Sequence, residues 1–528
     1  MIRRPARLIE SVLFMTAALF LGSAGAQTPV RSFDGDKGPG LAECLQGATH
    51  CGRQAEPNVA ADGKHVVQVT WQHVRVYDYG GKLLKSTSTI DFVRAAGLEP
   101  LPQRKDKDKT KGKGKGPFEP HVFYDEFIGR WLISITAHSD SLLVSASADP
   151  LGKWGGVHLS CLDGGPCLDY DPALKLGYDK NGVYYCGAHV GEDNPATAPK
   201  TAWDCFAVPS AEVKGIGNGT PPVHINRAHH MPIDVVPAVD HNPDKAADAP
   251  AFFLAKSCEQ AKPNSCGVSA GNFPFKWLVN TFTWKGLEGT YNAGGAQQVI
   301  KTGIGSTADQ WLYNTPCCGK DMSIPQKGTD IRLRTSVTHH MGNAMQTGSH
   351  LHAAEGSGPC TQDCGAQGAD THNILFYVDL DCSKPAACVV SQTAKLSGPD
   401  VAPQLGTVGV DSHGNVGVVA VSATVDTYLG LIAWSRKQTD PPNAFSGPIT
   451  LAAGTQPYTC MKDHTLDNGQ TYYTLMGNSV GISTVRDPLD GTKLWTTQQY
   501  ANDAAPCVFS TRIVQYRIAE PARGPKAN

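Results

Sequence analysis

Short runs of alternating apolar and polar residues recur along the chain, each broken by a turn built from Asp or Asn and Gly and resumed on an aromatic residue. The fullest instance is Gly481–Tyr500. There a short apolar segment runs into Asp487-Pro488, a tight turn centres on Asp490-Gly491, and Leu494-Trp-Thr-Thr-Gln-Gln-Tyr500 reads as the returning strand. The same grammar appears in His121-Val-Phe-Tyr-Asp-Glu-Phe-Ile-Gly-Arg-Trp131, where Asp125 and Gly129 flank the turn and Trp131 opens the next strand. Leu176-Gly-Tyr-Asp-Lys-Asn-Gly-Val-Tyr-Tyr185 repeats it, as does Val410-Asp-Ser-His-Gly-Asn415 with Gly414 in the turn. Val66–Tyr77 and its Asp78-Tyr-Gly-Gly81 turn read as another strand pair. Period-two alternation with such turns predicts antiparallel hairpins.

Many short strands with a repeated turn suggest a radial repeat, because a four-stranded unit must cover both faces with neighbours. The expected fold is therefore all-β, a six- or seven-bladed β-propeller with long disulfide-stapled loop insertions, at spacings of about 50–70 residues. A β-sandwich array using ordinary hairpins is the alternative. In either fold Asp125, Gly129, Trp131, Trp154, Asp411, Gly414, Asp487, Gly491 and Trp495 are expected to be structural, the Trp rings sealing neighbouring units.

Composition fits this picture. The 528 residues include 56 Gly and 36 Pro, too many interruptions for long helices. Residues 1–26 run from basic through apolar to small residues, the order of a secretory signal peptide. A leader over 27–60, a single β-propeller domain over 61–520 and a tail over 521–528 are expected to follow. Residues 101–117 include a Lys-rich run without apolar residues to bury, which reads as a mobile insertion. These features predict a secreted or periplasmic protein, monomeric and without a membrane segment once the signal is cleaved. The net charge of −2 argues against a nucleic-acid binder. An even count of 16 Cys in an exported chain favours disulfides, and pairs such as Cys382/Cys388 lie close enough to staple local loops. Cys360-x-x-x-Cys364 with His372 and Cys382 offers a competing zinc reading.

Four segments resemble a family of secreted bacterial β-propeller proteins of mostly unassigned activity, distantly akin to sialidase propellers. They are Phe118–Trp131, Leu176–Tyr184, Val410–Gly417, and Gly481–Tyr500 together with Ser510–Ile513. The resemblance implies an architecture and no catalytic group. The family's usual Trp-Gly-Asp-Tyr-Ser-like segment is replaced here by Met476-Gly-Asn-Ser-Val480. A sialidase-type turn box is approached by Ser147-Ala-Asp-Pro-Leu-Gly-Lys-Trp154, with Gly and Trp shifted. No arginine triad with a Tyr/Glu pair can be carried over.

Candidate chemistry is spread thinly. His224, His229 and His230 with Asp234, Asp240 and His241 downstream, then His339 and His340, then His350 and His352 form three clusters. Imidazoles gathered from several strands could hold Zn²⁺ and activate water. On a strand, His350 and His352 share one face. Asp163, Asp169 and Asp171 flank Cys161 and Cys167. They could serve as paired carboxylates for glycoside hydrolysis or as Ca²⁺ ligands. No nucleophile elbow, HExxH helix or phosphate loop is present. The leading expectation is a propeller that binds an extracellular glycan or protein through rim loops and a central funnel. One alternative is a hydrolase or lyase of an extracellular polymer, using funnel carboxylates or a His-bound metal. Another is a structural cell-surface protein.

Overall fold

β-Branched and aromatic residues at alternate positions favour extended backbone, and the Asp-Gly punctuation forces tight returns. The computed structural model describes residues 28–38, 56–99, 118–136, 140–159, 162, 174–189, 202–232, 235–257, 276–292, 298–301, 324–335, 341–357, 374–398, 401–459, 475–476, 483–505, 508 and 510–518. Strand β1 (Thr28–Lys37) is followed by a four-stranded antiparallel sheet in chain order: β2 (Asn58–Ala61), β3 (His65–Val69), β4 (His73–Asp78) and β5 (Leu83–Ser88). Helix α1 (Thr89–Ala95) comes next, its first turn capped by Ser88 Oγ, which accepts the Asp91 N–H at 3.1 Å. A second such sheet holds β6 (Phe118–Asp125), β7 (Arg130–Thr136), β8 (Asp140–Ser145) and β9 (Trp154–His158). A third holds β10 (Lys175–Tyr178), β11 (Gly182–His189), β12 (Ala202–Pro209) and β13 (Asn226–Met231), with helix α2 (Ser210–Gly217) between its last two strands.

The middle of the chain departs from this rhythm. Strands β14 (Val236–Asp240), β15 (Ala251–Ser257), β16 (Lys276–Lys285), β17 (Glu288–Tyr291) and β18 (Gln298–Lys301) form one part of a nine-stranded sheet. A small three-stranded sheet uses β19 (Ile324–Gln326), β20 (Thr329–Thr335) and, from far along the chain, Leu475–Met476. The rest of the nine-stranded sheet is β21 (Ala344–Thr347), β22 (His350–Ser357), β23 (Ile374–Asp381) and β24 (Val389–Leu396), joined to the first part by the parallel pair β14·β21. Strands β25 (Pro403–Val410), β26 (Val416–Thr424), β27 (Thr427–Arg436) and β28 (Ser446–Ala452) then make a four-stranded sheet. The segment Leu475–Met476 is β29, and β30 (Thr484–Arg486), β31 (Lys493–Tyr500) and β32 (Ser510–Arg517) close the chain, with β1 paired onto β32.

Two expectations are corrected here. The fold is all-β, but no sheet of the described residues closes into a barrel or propeller. Equal four-stranded units are interrupted by the nine-stranded sheet, in which Ala238 pairs in parallel with Ala344. The two disulfides of the described residues are buried, and neither staples a long loop insertion. Cys186–Cys205 joins directly opposed residues of β11 and β12, and Cys382–Cys388 closes the connection between β23 and β24. That second bond also removes Cys382 from the zinc reading; Cys360, Cys364 and His372 lie outside the described residues.

The turn residues repeat one device. At the end of each first strand an Asp folds back and accepts backbone N–H groups of its own turn. Asp125 Oδ1 takes those of Phe127 and Ile128 (2.9 and 3.3 Å), and Asp179 Oδ1 those of Asn181 and Gly182 (2.7 and 3.0 Å). Asp240 takes that of Asn242 (3.0 Å), Asp411 those of His413 and Asn415 (2.8 and 2.9 Å), and Asp487 those of Leu489 and Asp490 (2.9 and 3.1 Å). Gly129 and Gly414 complete two of these turns at φ +61° and +76°, where a side chain would be strained.

The aromatic residues after the turns are buried. Trp131 and Trp495 are fully enclosed, and Trp154 packs edge-on to Phe92 with ring centroids 5.0 Å apart. Trp495 Nε1 donates to Asp487 Oδ2 at 2.9 Å; Tyr79 and Gln515 converge on the same carboxylate. Ser412 N–H donates to Gly491 O at 2.8 Å, which docks the β30–β31 turn on the β25–β26 turn. Burying each such ring contributes about 1.5–3 kcal/mol. These contacts matter for function because β2 packs on β6 and β30, and β10 packs on β6 and β14. Their first turns are thereby brought together.

Candidate active site

The turns that follow β2, β6, β10, β14 and β30 meet around a small, partly open cleft whose enclosed volume is about 20 Å³, lined by Phe123, Tyr124, Glu126, Tyr178, His241 and Arg486 among others. The enclosed part has room for about one water molecule, so any larger ligand must lie across its open mouth. Each polar lining residue is the chain neighbour of a turn Asp. Glu126 follows Asp125, Tyr178 precedes Asp179, His241 follows Asp240, and Arg486 precedes Asp487. The Asx turns fix the backbone, and the neighbouring side chains project together.

Glu126 is the hub. Its Oε1 lies 2.6 Å from His241 Nδ1, and its Oε2 accepts the Tyr178 hydroxyl at 2.7 Å. Arg486 Nη2 stands 3.6 Å from the same Oε1 and donates to the His241 carbonyl at 3.4 Å. The Tyr178 ring meets the His241 ring edge-on, with centroids 5.7 Å apart. Burial by itself would raise the Glu126 pKa, but the His241 charge, its hydrogen bond and the Tyr178 hydroxyl outweigh it and hold the carboxyl at about 2. Glu126 is therefore ionised and only accepts. An ionised Glu126 holds a proton on His241 Nδ1, so whenever the imidazole is neutral its lone pair is on Nε2. Nε2 is buried and has no hydrogen-bond partner among the described residues. Tyr178 keeps its proton, because burial first and the charges of Glu126 and Asp125 next push its pKa well above 10.

Asp125 is tuned the opposite way. Burial, then the charge of Glu126, pushes its pKa up to about 8, and its Oδ2 has no partner among the described residues. Two adjacent carboxyl groups are thus driven apart, one neutral and one ionised near pH 7. Because the folded-state value lies above the unfolded one, the proton on Asp125 favours the fold fully below pH 3.8, and that contribution is lost as pH rises toward about 8. The variant Asp125→Asn keeps the Oδ1 acceptor and cannot ionise. Its urea midpoint is expected to decline less than that of the wild type between pH 4 and 8, where parallel declines would contradict the assignment.

Of the residues singled out from sequence, His241 lines the cleft and the others lie elsewhere. Asp163, Asp169 and Asp171, with His339 and His340, lie outside the described residues, as does the side chain of His230. His224 pairs with Glu212, and His229 Nδ1 lies 3.4 Å from Asp204 Oδ2. His350 and His352 do share one face, their rings stacked at 6.2 Å, but they meet Asp379 and Tyr377, each at 2.8 Å. Among the described residues no group of three or more His, Cys, Asp or Glu is placed to hold a metal ion. The metal-binding expectation is corrected accordingly, and with it the binding funnel, for which the sheets give no closed ring.

No family model matches the chain, and no curated protein matches it. Solved structures show distant, low-identity similarity that includes glycan-active enzymes. A hydrazine synthase from Kuenenia stuttgartiensis is 10% identical, with 87% of this chain and 99% of that chain covered and a TM-score of 0.41. An ulvan lyase of polysaccharide lyase family PL25 is 13% identical, covering 94% and 96%, with a TM-score of 0.38. A sialidase from Trypanosoma rangeli is 8% identical, covering 76% and 54%, with a TM-score of 0.29. Likenesses this weak carry no argument about chemistry, and none points to a bacterial propeller family. No helix among the described residues is long and apolar enough to cross a membrane.

Proposed function

We propose that the cleft is the active site of an exported lyase that cleaves an acidic extracellular polysaccharide by β-elimination. The observation that carries this reading is His241, held at Nδ1 by an ionised Glu126 whose same oxygen lies 3.6 Å from Arg486, with Nε2 enclosed and unpartnered among the described residues. An imidazole oriented by a carboxylate is a general base. In a polymer with a carboxyl group on the sugar ring, Nε2, which is enclosed in the free protein and must be uncovered as the polymer binds, takes the proton α to that carboxylate. The electron pair forms the C=C bond, and the C–O bond to the leaving sugar breaks. The imidazolium, stabilised by Glu126, then returns the proton to the leaving oxygen. Atoms and electrons balance without water.

Arg486 pairs with the substrate carboxylate and acidifies the α-proton by stabilising the charge that develops there. Tyr178 anchors Glu126 and so holds the base in place. Glu126 is the one carboxylate on the cleft wall among the described residues, which disfavours a two-carboxylate glycosidase mechanism. The signal-like residues 1–26 support export. The protein should be incubated with a panel of uronate-containing and neutral polysaccharides. Ultraviolet absorbance from a conjugated C=C bond is expected with acidic polymers alone. New reducing ends without that absorbance would make the enzyme a hydrolase, and no cleavage of any acidic polymer would overturn the reading.

A further inference from the structure

We propose that Lys245 is a positioning residue that locks the two halves of the acid–base centre, Tyr178 and His241, in register around Glu126; this rests on the cleft being the active site. Lys245 is buried in the loop after β14, and its Nζ lies 2.8 Å from Asp179 Oδ2 and 3.1 Å from Asp240 Oδ2. Asp179 is the chain neighbour of Tyr178, and Asp240 that of His241. One ammonium therefore bridges the two turns that present the two site residues.

Both carboxylates are buried. Tyr184 Oη donates within 3.0 Å of both oxygens of Asp179 and itself accepts from Trp284 Nε1 at 2.8 Å. Asn181 Nδ2 donates to Ala246 O at 2.8 Å, a second tie between the same turn and the same loop. Without the ammonium, two enclosed carboxylates would repel each other in a low-dielectric setting. The Asp240 turn would move, and His241 would move with it. Tyr178 Oη and His241 Nδ1, now 3.4 Å apart, would no longer converge on one carboxylate. Lys245 does not line the cleft, so it acts only through these neighbours.

The test reads His241 directly. Glu126, Tyr178 and Arg486 contact it, with the Asp240–Lys245 pair one residue away along the chain, and its Nδ1–H should give a downfield, exchange-protected proton resonance in the wild type. In Lys245→Met that resonance is expected to broaden or vanish, and kcat on the cleaved polymer to fall about tenfold or more with KM little changed. The double variant Asp240→Asn/Lys245→Met restores the net charge of the wild-type cluster, leaving Asp179 with its Tyr184 and backbone donors, and keeps the fold if the single variant does not. It should regain thermal stability while the resonance stays lost. A folded variant of either kind that retains the protected Nδ1–H signal overturns the assignment. The resonance decides the role of Lys245 even if the wild type cleaves no polymer, an outcome that would instead overturn the lyase reading.

Discussion

His241→Ala is expected to lower kcat on an acidic polysaccharide by about 10²–10⁴-fold, the usual contribution of a positioned general base. The loss should fall on kcat and not on KM, because Arg486 and the cleft walls that bind the polymer remain. Folding should survive, since Glu126 still accepts the Tyr178 hydroxyl and keeps Arg486 nearby. Glu126→Gln provides the matched control. It keeps the shape of the hub but offers His241 a neutral partner, which weakens the preference for the Nδ1–H tautomer and leaves the imidazolium unsupported. A kcat close to that of the wild type in His241→Ala, measured by the absorbance of the unsaturated product, would remove His241 from the chemistry.

Arg486→Ala is expected to cost about 10²–10³-fold in kcat/KM, the scale seen when one donor to a developing anion is lost. Arg486 is the one cation on the cleft wall among the described residues. Lys should restore only part of the rate, because an ammonium lacks the planar fork that pairs with a carboxylate in two hydrogen bonds. The side chain is about a quarter exposed and makes only long contacts to Glu126 and the His241 carbonyl. It is therefore free to engage a ligand with little loss of stability, and thermal midpoints of the wild type and Arg486→Ala should lie close together. Equal rates for Ala and Arg at position 486 would show that no substrate carboxylate is read there.

The hairpins were legible in the sequence because they are local. Asp125, Asp179, Asp411 and Asp487 each sit where alternation stops, and each accepts its own turn's N–H groups. The association of the hairpins was less so. The parallel pairing of Ala238 with Ala344 depends on how distant strands fill the space between them, which no local period records. The site was hidden for a related reason. Glu126, Tyr178, His241 and Arg486 come from four separate hairpin ends and form no motif. Their shared signal is adjacency to a turn Asp, a position that looked purely architectural. Clustering in sequence misled in the opposite direction. His350 and His352 share a face of β22, but the facing strand offers them Asp379 and Tyr377 in place of further ligands. The stretch Gly481–Tyr500 thus carries both kinds of information: Asp487 and Trp495 lock the turn, and Arg486 faces the cleft.

The most direct measurement compares an acidic polysaccharide that the protein cleaves with the same polymer after chemical reduction of its carboxyl groups to alcohols. If Arg486 and His241 carry out elimination, the native polymer gives ultraviolet-absorbing unsaturated ends and the reduced polymer gives none. Cleavage of the reduced polymer at a comparable rate would contradict the account, because neither the α-proton acidity nor the Arg486 pairing would then be needed.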